Sequence, residues 1–300
     1  MKIVVAGGTG FLGRHISRAL MDDGHEVTVL TRAPDEMSRI PELEGASAAR
    51  ADVLEARTLS GVFTDAQGVV GAVQFPNHPV EVPRKGLTYD RFDRQGTEHL
   101  LAEAKQSRIE RYVYISGAGA DPASDKTWYR AKGRAEGAIE HSGLTYSILR
   151  PSWAYGPEDR ALNRLAAISR FSPVVPRLGM RPQRIQPVFV DDIALAVRRI
   201  FASPDAWGRV FEIGGPDVLT MDEIIRTMLG VLGRRRLVVP IPTALAKLGT
   251  APLILLPAPP MTPHGIDFAV QDGLVDTTDL EKVLDVHPIP LGEGLARYMR

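Results

Sequence analysis

Three glycines spaced three apart, Gly7, Gly10 and Gly13, stand between a β-branched run (Ile3, Val4, Val5) and an apolar face of helical period (Phe11, Leu12, Ile16, Leu20). This spacing builds a phosphate-binding turn. Gly7 permits the tight turn, Gly10 lets the backbone approach a pyrophosphate with no Cβ between, and Gly13 lets the helix pack close to the strand. The free N–H groups and positive dipole end of that helix face the phosphates. Thr9, Phe11 and Leu12 belong to the same turn and are expected beside the ligand. A second buried strand, Val27 to Leu30, then ends at Thr31-Arg32, where the adenosine ribose would lie. A carboxylate there would accept both ribose hydroxyls and repel a 2′-phosphate. A hydroxyl and a guanidinium instead suit that phosphate, with Arg14 as a second cation. The residues therefore predict NADP(H), with NAD(H) as the alternative.

These residues need a scaffold. Buried-strand patterns recur at Lys2 to Ala6, Glu26 to Leu30, about Ala46 to Arg50, Gly68 to Gln74, Arg111 to Ser116 and Thr145 to Leu149. Helical patterns lie between most of them, including Gln95 to Gln106 and Trp128 to His141. The fold class is therefore α/β: a doubly wound parallel sheet of Rossmann type with a smaller C-terminal substrate-cap lobe. Residues 1–150 read as the dinucleotide-binding core. After Arg150-Pro151 proline becomes dense, and residues 151–300 read as a mixed lobe. Its short strands, Pro187 to Val190 and Val210 to Ile213, are expected to return to the main sheet. Asp191-Asp192 are expected to cap the helix that follows, Ile193 to Phe201.

Composition narrows the function classes. Basic and acidic residues balance at 36 each, which argues against nucleic-acid binding by bulk charge. Cysteine is absent, which excludes disulfides, thiolate metal sites and cysteine catalysis. The histidines show no metal-ligand spacing, so no metal is assigned. The sequence opens directly on its first core strand, and a cytoplasmic protein is expected, a monomer or weak homodimer.

Further segments carry a family resemblance: Gly7 to Gly13, Asp52-Val53, Gly96-Thr-Glu-His-Leu-Leu101, Tyr112-Val-Tyr-Ile-Ser-Gly117, Tyr129-Arg-Ala-Lys132, Leu149-Arg-Pro-Ser152, Tyr155-Gly-Pro157, Val188-Phe-Val-Asp-Asp-Ile193 and Phe211-Glu-Ile-Gly-Gly-Pro216. In this order the chain resembles the extended and atypical short-chain dehydrogenase/reductases, in particular the branch similar to the nucleotide-binding accessory subunit of respiratory complex I. The resemblance spans nearly the whole chain. It implies that Asp52 bonds the adenine amino group, that Val53 flanks the ring, and that Pro151 joins the cofactor-binding residues. It also implies a catalytic set of Ser116, Tyr129 and Lys132, the lysine holding the nicotinamide ribose and a tyrosine exchanging a proton with substrate. This chain departs from the family at two positions. The residue four before Lys132 is Trp128, with Tyr129 three before and displaced by about 100° of helical turn. Asp93 stands where extended members usually carry asparagine. The activity implied is an NADPH-dependent reductase of an apolar carbonyl, enone or quinone-like substrate. The alternative is a non-catalytic dinucleotide-binding sensor or accessory subunit.

Two segments fall outside these motifs. Phe75 to Asp93 is long for a connection at the nicotinamide end of such a sheet; it offers His78, Lys85 and Tyr89 to substrate, or else is a solvated surface loop. Leu237 to Pro260 carries one charge, Lys247, and six prolines, which rule out a continuous spanning helix. One account packs a helix, about Thr243 to Leu255, into the core of the C-terminal lobe. The other leaves its face apolar beside Arg234-Arg235-Arg236, making a peripheral membrane contact that delivers a lipid-soluble substrate.

Overall fold

The computed structural model describes residues 1–75, 78–250 and 261–299. Thirteen strands are described: β1 (Lys2–Ala6), β2 (Glu26–Thr31), β3 (Ser47–Arg50), β4 (Gly68–Gly71), β5 (Arg111–Ile115), β6 (Tyr146–Pro151), β7 (Trp153–Tyr155), β8 (Val174–Leu178), β9 (Arg184–Ile185), β10 (Pro187–Phe189), β11 (Arg209–Ile213), β12 (Leu219–Thr220) and β13 (Leu237–Ile241). The helices are α1 (Phe11–Asp22), α2 (Gly96–Gln106), α3 (Thr127–Glu140), α4 (Arg160–Phe171), α5 (Val190–Ala202), α6 (Met221–Val231), α7 (Thr243–Thr250), α8 (Pro263–Ala269), α9 (Thr278–Leu284) and α10 (Leu291–Ala296).

Seven strands form one sheet in the order β11-β6-β5-β4-β1-β2-β3, with every pairing parallel. Its central strand explains the layering. Successive side chains of β1 point to opposite faces: Ile3 and Val5 join α1 and α5 in one core, and Val4 and Ala6 join α2 and α3 in the other. Apolar residues on both faces are what a parallel sheet covered by helices requires. The chain winds outward from β1 through β2 to β3, then returns to β4 and winds the other way. The crevice at the carboxyl ends of β1 and β4 is therefore the topological switch point, where ligands meet such sheets.

Strand β4 ends at Gly71 rather than Gln74, because Ala72, whose N–H bonds the Ala6 carbonyl at 2.9 Å, is the last contact before the chain turns away. Strand β11 returns to the main sheet beside β6. Strand β10 does not; it pairs with β7 in a separate two-stranded ladder, since the edge of the main sheet beyond β6 is already taken by β11. The C-terminal lobe adds the ladders β12-β9 and β13-β8. Its core gathers Leu162, Val175, Ile224, Ile225 and Met228.

Helix α7 begins where expected, at Thr243, but its described turns are not packed into the lobe. None of its residues is buried, and Leu245 and Leu248 are exposed. The rest of the expected helix, with Leu253, lies outside the described residues, as does Leu256. Among the described residues no helix is long and apolar enough to cross a membrane.

Candidate functional site

The phosphate turn has the geometry its glycines require. Gly7 adopts φ +82° against the end of β4, where a Cβ would overlap the Ala72 carbonyl; a Cβ on Gly13 would overlap the backbone of Gly7. Gly10 N–H closes the turn on the Gly7 carbonyl at 2.9 Å, and a Cβ on Gly10 would meet only that carbonyl, at 3.1 Å. Helix α1 starts with no capping side chain and no carboxylate in its first turn. Its first N–H groups therefore remain available to an anion. This cradle fits the pyrophosphate of a dinucleotide. Thr9, Phe11 and Leu12 line the same turn, half-buried.

At the adenosine end, Thr31 is buried and its Oγ1 accepts from Ala33 N–H at 3.1 Å, so this hydroxyl holds the turn. Arg32 is 60% exposed, its Nη1 4.0 Å from Asp52 Oδ2. Asp52 also accepts from Leu54 N–H at 2.9 Å, so it braces the strand end while keeping one oxygen toward Arg32. Val53 packs on Gly96, and its carbonyl lies 2.7 Å from His99 Nδ1. A cation absent from the sequence reading appears here. Arg50, in register with Thr31, donates to the Arg32 carbonyl at 3.0 Å and pairs with Asp35. Its signal was its place as the last residue of the neighbouring strand. Arg14 is placed elsewhere: it donates to Thr9 O at 3.0 Å and faces Glu158 and Glu42 at 3.7 and 4.0 Å.

His15, next to Arg14, bridges two carboxylates. Nδ1 lies 2.8 Å from Asp191 Oδ1 and Nε2 lies 2.9 Å from Glu158 Oε2. Burial disfavours the imidazolium, but these two hydrogen bonds and charges outweigh it and raise its pKa. Asp191 and Asp192 thus do not cap α5, whose N-cap is Phe189 without a side-chain bond. Asp191 reaches α1, and Asp192 accepts from Ile289 N–H at 3.0 Å. Asp191 reaches His15 because α5 packs directly against α1, whereas Asp192 ties α5 to the segment that leads into α10.

At the nicotinamide end the structure brings Lys132 under the carboxyl end of β5. Its ammonium donates to the Ile115 carbonyl at 2.9 Å, lies 4.9 Å from the Tyr114 ring centroid, and stands 2.8 Å from Asp93 Oδ1. The ion pair is almost wholly removed from water, with side-chain exposures of 4% and 0%. At this distance the ammonium can donate to Oδ1 as well as pair with it by charge, and the second carboxylate oxygen, Oδ2, has no partner among the described residues. Burial raises the Asp93 pKa, against the pull of the Lys132 charge. Asp93 sits on a π-helical turn, Asp90–Gln95, that runs directly into α2. Ser116 follows β5, its N–H tied to the Leu149 carbonyl at 2.8 Å and its buried hydroxyl unpartnered among the described residues. Pro151, ending β6, accepts from Ala118 N–H at 2.8 Å and so holds the same loop.

The two aromatic residues ahead of Lys132 diverge. Trp128 lies against the Gly117 backbone and packs edge-on to Phe268 of α8. Tyr129 covers Gly119 and lines a cleft of about 260 Å³ with Ala118, Asp121, Lys126 and Asp272. Its phenol pKa is raised by burial and by the Asp272 charge, and no hydrogen bond joins it to Ser116 or Lys132 among the described residues. Among the described residues of the segment Phe75 to Asp93, the aromatic side chains are buried while the turn Pro83–Lys85 is exposed. Phe75, Tyr89 and Phe92 are buried in a cluster with Ala131. Tyr89 Oη lies 3.0 Å from His78 Nδ1, and His78 packs on Phe268. Burial, with the Lys132 and Arg160 charges, pushes the His78 pKa down to about 3, so this imidazole is neutral. Lys85 lies outside this cluster, on a short turn, Pro83–Lys85.

Comparisons with known proteins agree with this geometry. The family described as NAD(P)H-binding matches residues 7–173. The chain is 29% identical over 254 residues to the Arabidopsis thaliana mitochondrial NADH dehydrogenase [ubiquinone] 1 alpha subcomplex subunit 9, covering 83% of this chain and 62% of that protein. It therefore spans less than two thirds of that relative's length. It is 28% identical to the 2-alkyl-3-oxoalkanoate reductase of Stenotrophomonas maltophilia, over 79% of this chain and 77% of that one. The UDP-glucuronic acid 4-epimerase of Bacillus cereus, solved with UDP-glucuronic acid and NAD, superposes with TM-score 0.78 at 19% identity, covering 100% of this chain and 99% of the other. With its glycine turn, seven-stranded parallel sheet and matching family signature, this chain belongs to the NAD(P)H-binding family, among the atypical short-chain dehydrogenase/reductases.

Proposed function

We propose that the protein is an NADPH-dependent reductase of a small apolar carbonyl, enone or quinone-like substrate. The observation that carries this reading is the buried Lys132–Asp93 pair at the carboxyl end of β5, beside a buried serine hydroxyl with no protein partner. Burying a charge pair costs several kcal/mol per ion, a cost with no structural return at a sheet end unless the charge acts on a ligand. Perturbed ionisable groups in a crevice at the switch point mark functional sites. When bound, the dinucleotide supplies hydride. The chain must then orient the acceptor and manage the charge that develops on its oxygen. Ser116 Oγ is the donor for that oxygen, the Lys132 ammonium stabilises the growing negative charge, and Asp93, 2.8 Å from that ammonium, holds it in place. Trp128 and Phe268, packed edge-on to one another and only partly buried beyond the end of β5, are compatible with an apolar substrate body. Similarity to a 2-alkyl-3-oxoalkanoate reductase supports carbonyl reduction.

A second reading has its own observation. Trp128 stands where the family carries its proton-donating tyrosine, and Tyr129 has no hydrogen bond to Ser116 or Lys132 among the described residues, which fits a dinucleotide-binding accessory or sensor protein. The test is to purify the protein, identify the dinucleotide that co-purifies, and follow NADPH oxidation against 3-oxo acids, enones and quinones. Turnover that falls at least a hundredfold in Lys132→Ala supports the reductase. Tight cofactor binding with no oxidation across the panel supports the accessory role.

A further inference from the structure

The charges of this chain balance overall but not locally. From Arg160 to Val190 there are six arginines and no acidic residue; from Ile224 to Ile266 there are Arg226, Arg234, Arg235, Arg236 and Lys247, and again no acidic residue. These two stretches pack together: α4 and α6 share one core, and β8 pairs with β13. The same elements expose apolar side chains. Along the strand, Arg235, Leu237 and Val239 point outward while Val238 packs inward. Phe171, at the end of α4, is 84% exposed with the Arg170 guanidinium 5.4 Å over its ring. Leu237 is 69% exposed, and its N–H bonds the Pro173 carbonyl, which brings it beside Phe171. Leu245 and Leu248 of α7, the helix that follows β13, are exposed as well, Leu248 at 72%.

The three adjacent arginines divide their work. Arg234 donates to Ala166 O and Ser169 Oγ, both at 2.8 Å, and Arg236 to Ser169 O at 2.8 Å, closing the last turn of α4. Arg235 faces out with the apolar row.

We propose that this face, formed by α4, β13 and α7, docks the protein on an anionic lipid surface, with Phe171, Leu237 and Leu248 entering the headgroup boundary and Arg170 and Arg235 meeting phosphates. Exposed leucine and phenylalanine rimmed by arginine is the composition that partitions into that interface. Lys247 is paired with Asp267 and Arg177 with Asp222, so the charge complementarity comes from the exposed Arg170 and Arg235, which have no carboxylate within salt-bridge distance among the described residues. A second copy of this chain is a poor occupant, because it would bring the same positive face against itself. The inference is independent of the cofactor and of any turnover.

Co-sedimentation of the full chain with vesicles tests it. The expected result is binding to phosphatidylcholine vesicles containing phosphatidylglycerol at low salt, release at high salt, and little binding to phosphatidylcholine alone. Each basic residue near such a surface contributes ~1 kcal/mol, so Arg170→Glu and Arg235→Glu should each weaken partitioning about fivefold or more. Phe171→Ser should weaken it without changing its salt dependence. Circular dichroism and Tm of each variant separate lost docking from lost folding, and these exposed positions are expected to leave both unchanged. Failure of the wild type to bind anionic vesicles at low salt would overturn the proposal and leave an acidic protein surface as the occupant. Binding that persists in the folded double arginine variant would equally overturn the assignment to this face.

Discussion

At the scale of single residues, the proposed preference for NADPH rests on Arg32. Its guanidinium is exposed and only loosely paired with Asp52, so it can turn to a 2′-phosphate without breaking a strong contact. Charge-assisted hydrogen bonds are worth about 1.5–3 kcal/mol, so Arg32→Ala should weaken NADPH about tenfold or more and leave NADH nearly unchanged. Calorimetric titration of both cofactors decides it; equal affinity of the wild type for NADPH and NADH removes the argument. Arg50→Ala is expected to give a smaller loss, since that side chain already serves the Arg32 carbonyl and Asp35. For turnover, Tyr129→Phe is expected to leave cofactor binding intact and to retain most activity, because Tyr129 stands three residues before Lys132 rather than four and has no hydrogen bond to Ser116 or Lys132 among the described residues. Loss of turnover with intact binding would restore it as proton donor. Residue types were legible where a backbone requirement left one solution, as at Gly7 and Gly13. Asp93 was visible only as a departure from the family, because its meaning depends on a lysine brought to it by a helix far along the chain.

Helix α1 shows how much an element adds to its residues. Its glycine-rich start was readable from spacing alone, and its buried face of Ile16 and Leu20 follows the 3.6 period. Its outward bridge through His15 was not readable, since Glu158 and Asp191 come from two remote segments. Gly13→Ala would drive a methyl into the Gly7 backbone, which cannot yield as a flexible side chain can. Overpacking of this kind costs about 1–3 kcal/mol, and because the strained turn is the phosphate cradle, denaturant unfolding and NADPH titration should both register the loss. The His15 bridge predicts a pH dependence. A raised folded pKa means that its stabilisation is fully present below the ordinary histidine value of about 6.5 and is lost as pH rises through the folded value. Wild type should therefore exceed His15→Gln in stability by about 1 kcal/mol at pH ~5.5, a small gain because the carboxylates are partly exposed. The gap should narrow as pH rises through the folded pKa. Thermal unfolding of both proteins across this range checks the sign; a gap that widens with pH would contradict the bridge.

The whole molecule is organised by the switch point between β1 and β4, and the sequence foretold this better than it foretold the C-terminal half. Buried parallel strands announce themselves as β-branched runs, whereas the short ladders β7-β10 and β8-β13 carry prolines and only three to five residues in each strand, too little pattern to fix a partner. The texture change after Pro151 is real in composition, yet the chain beyond it supplies β11 to the main sheet and α5 to the face of α1. Val188, Ile193, Val197, Ile200, Phe211 and Ile213 share one core with Ile3, Val5, Ile16 and Leu20. A fragment ending at Pro151 would leave β6 as an unpaired edge and expose the apolar face of α1. It is expected to aggregate or to lack a cooperative transition. The intact chain should unfold in one step, and NADPH at about a hundred times its Kd should stabilise that step by about 2.7 kcal/mol. Calorimetry of both constructions of the chain, with and without NADPH, tests the claim. A fragment that melts cooperatively and binds NADPH like the whole protein would show that the cofactor site folds without the C-terminal half.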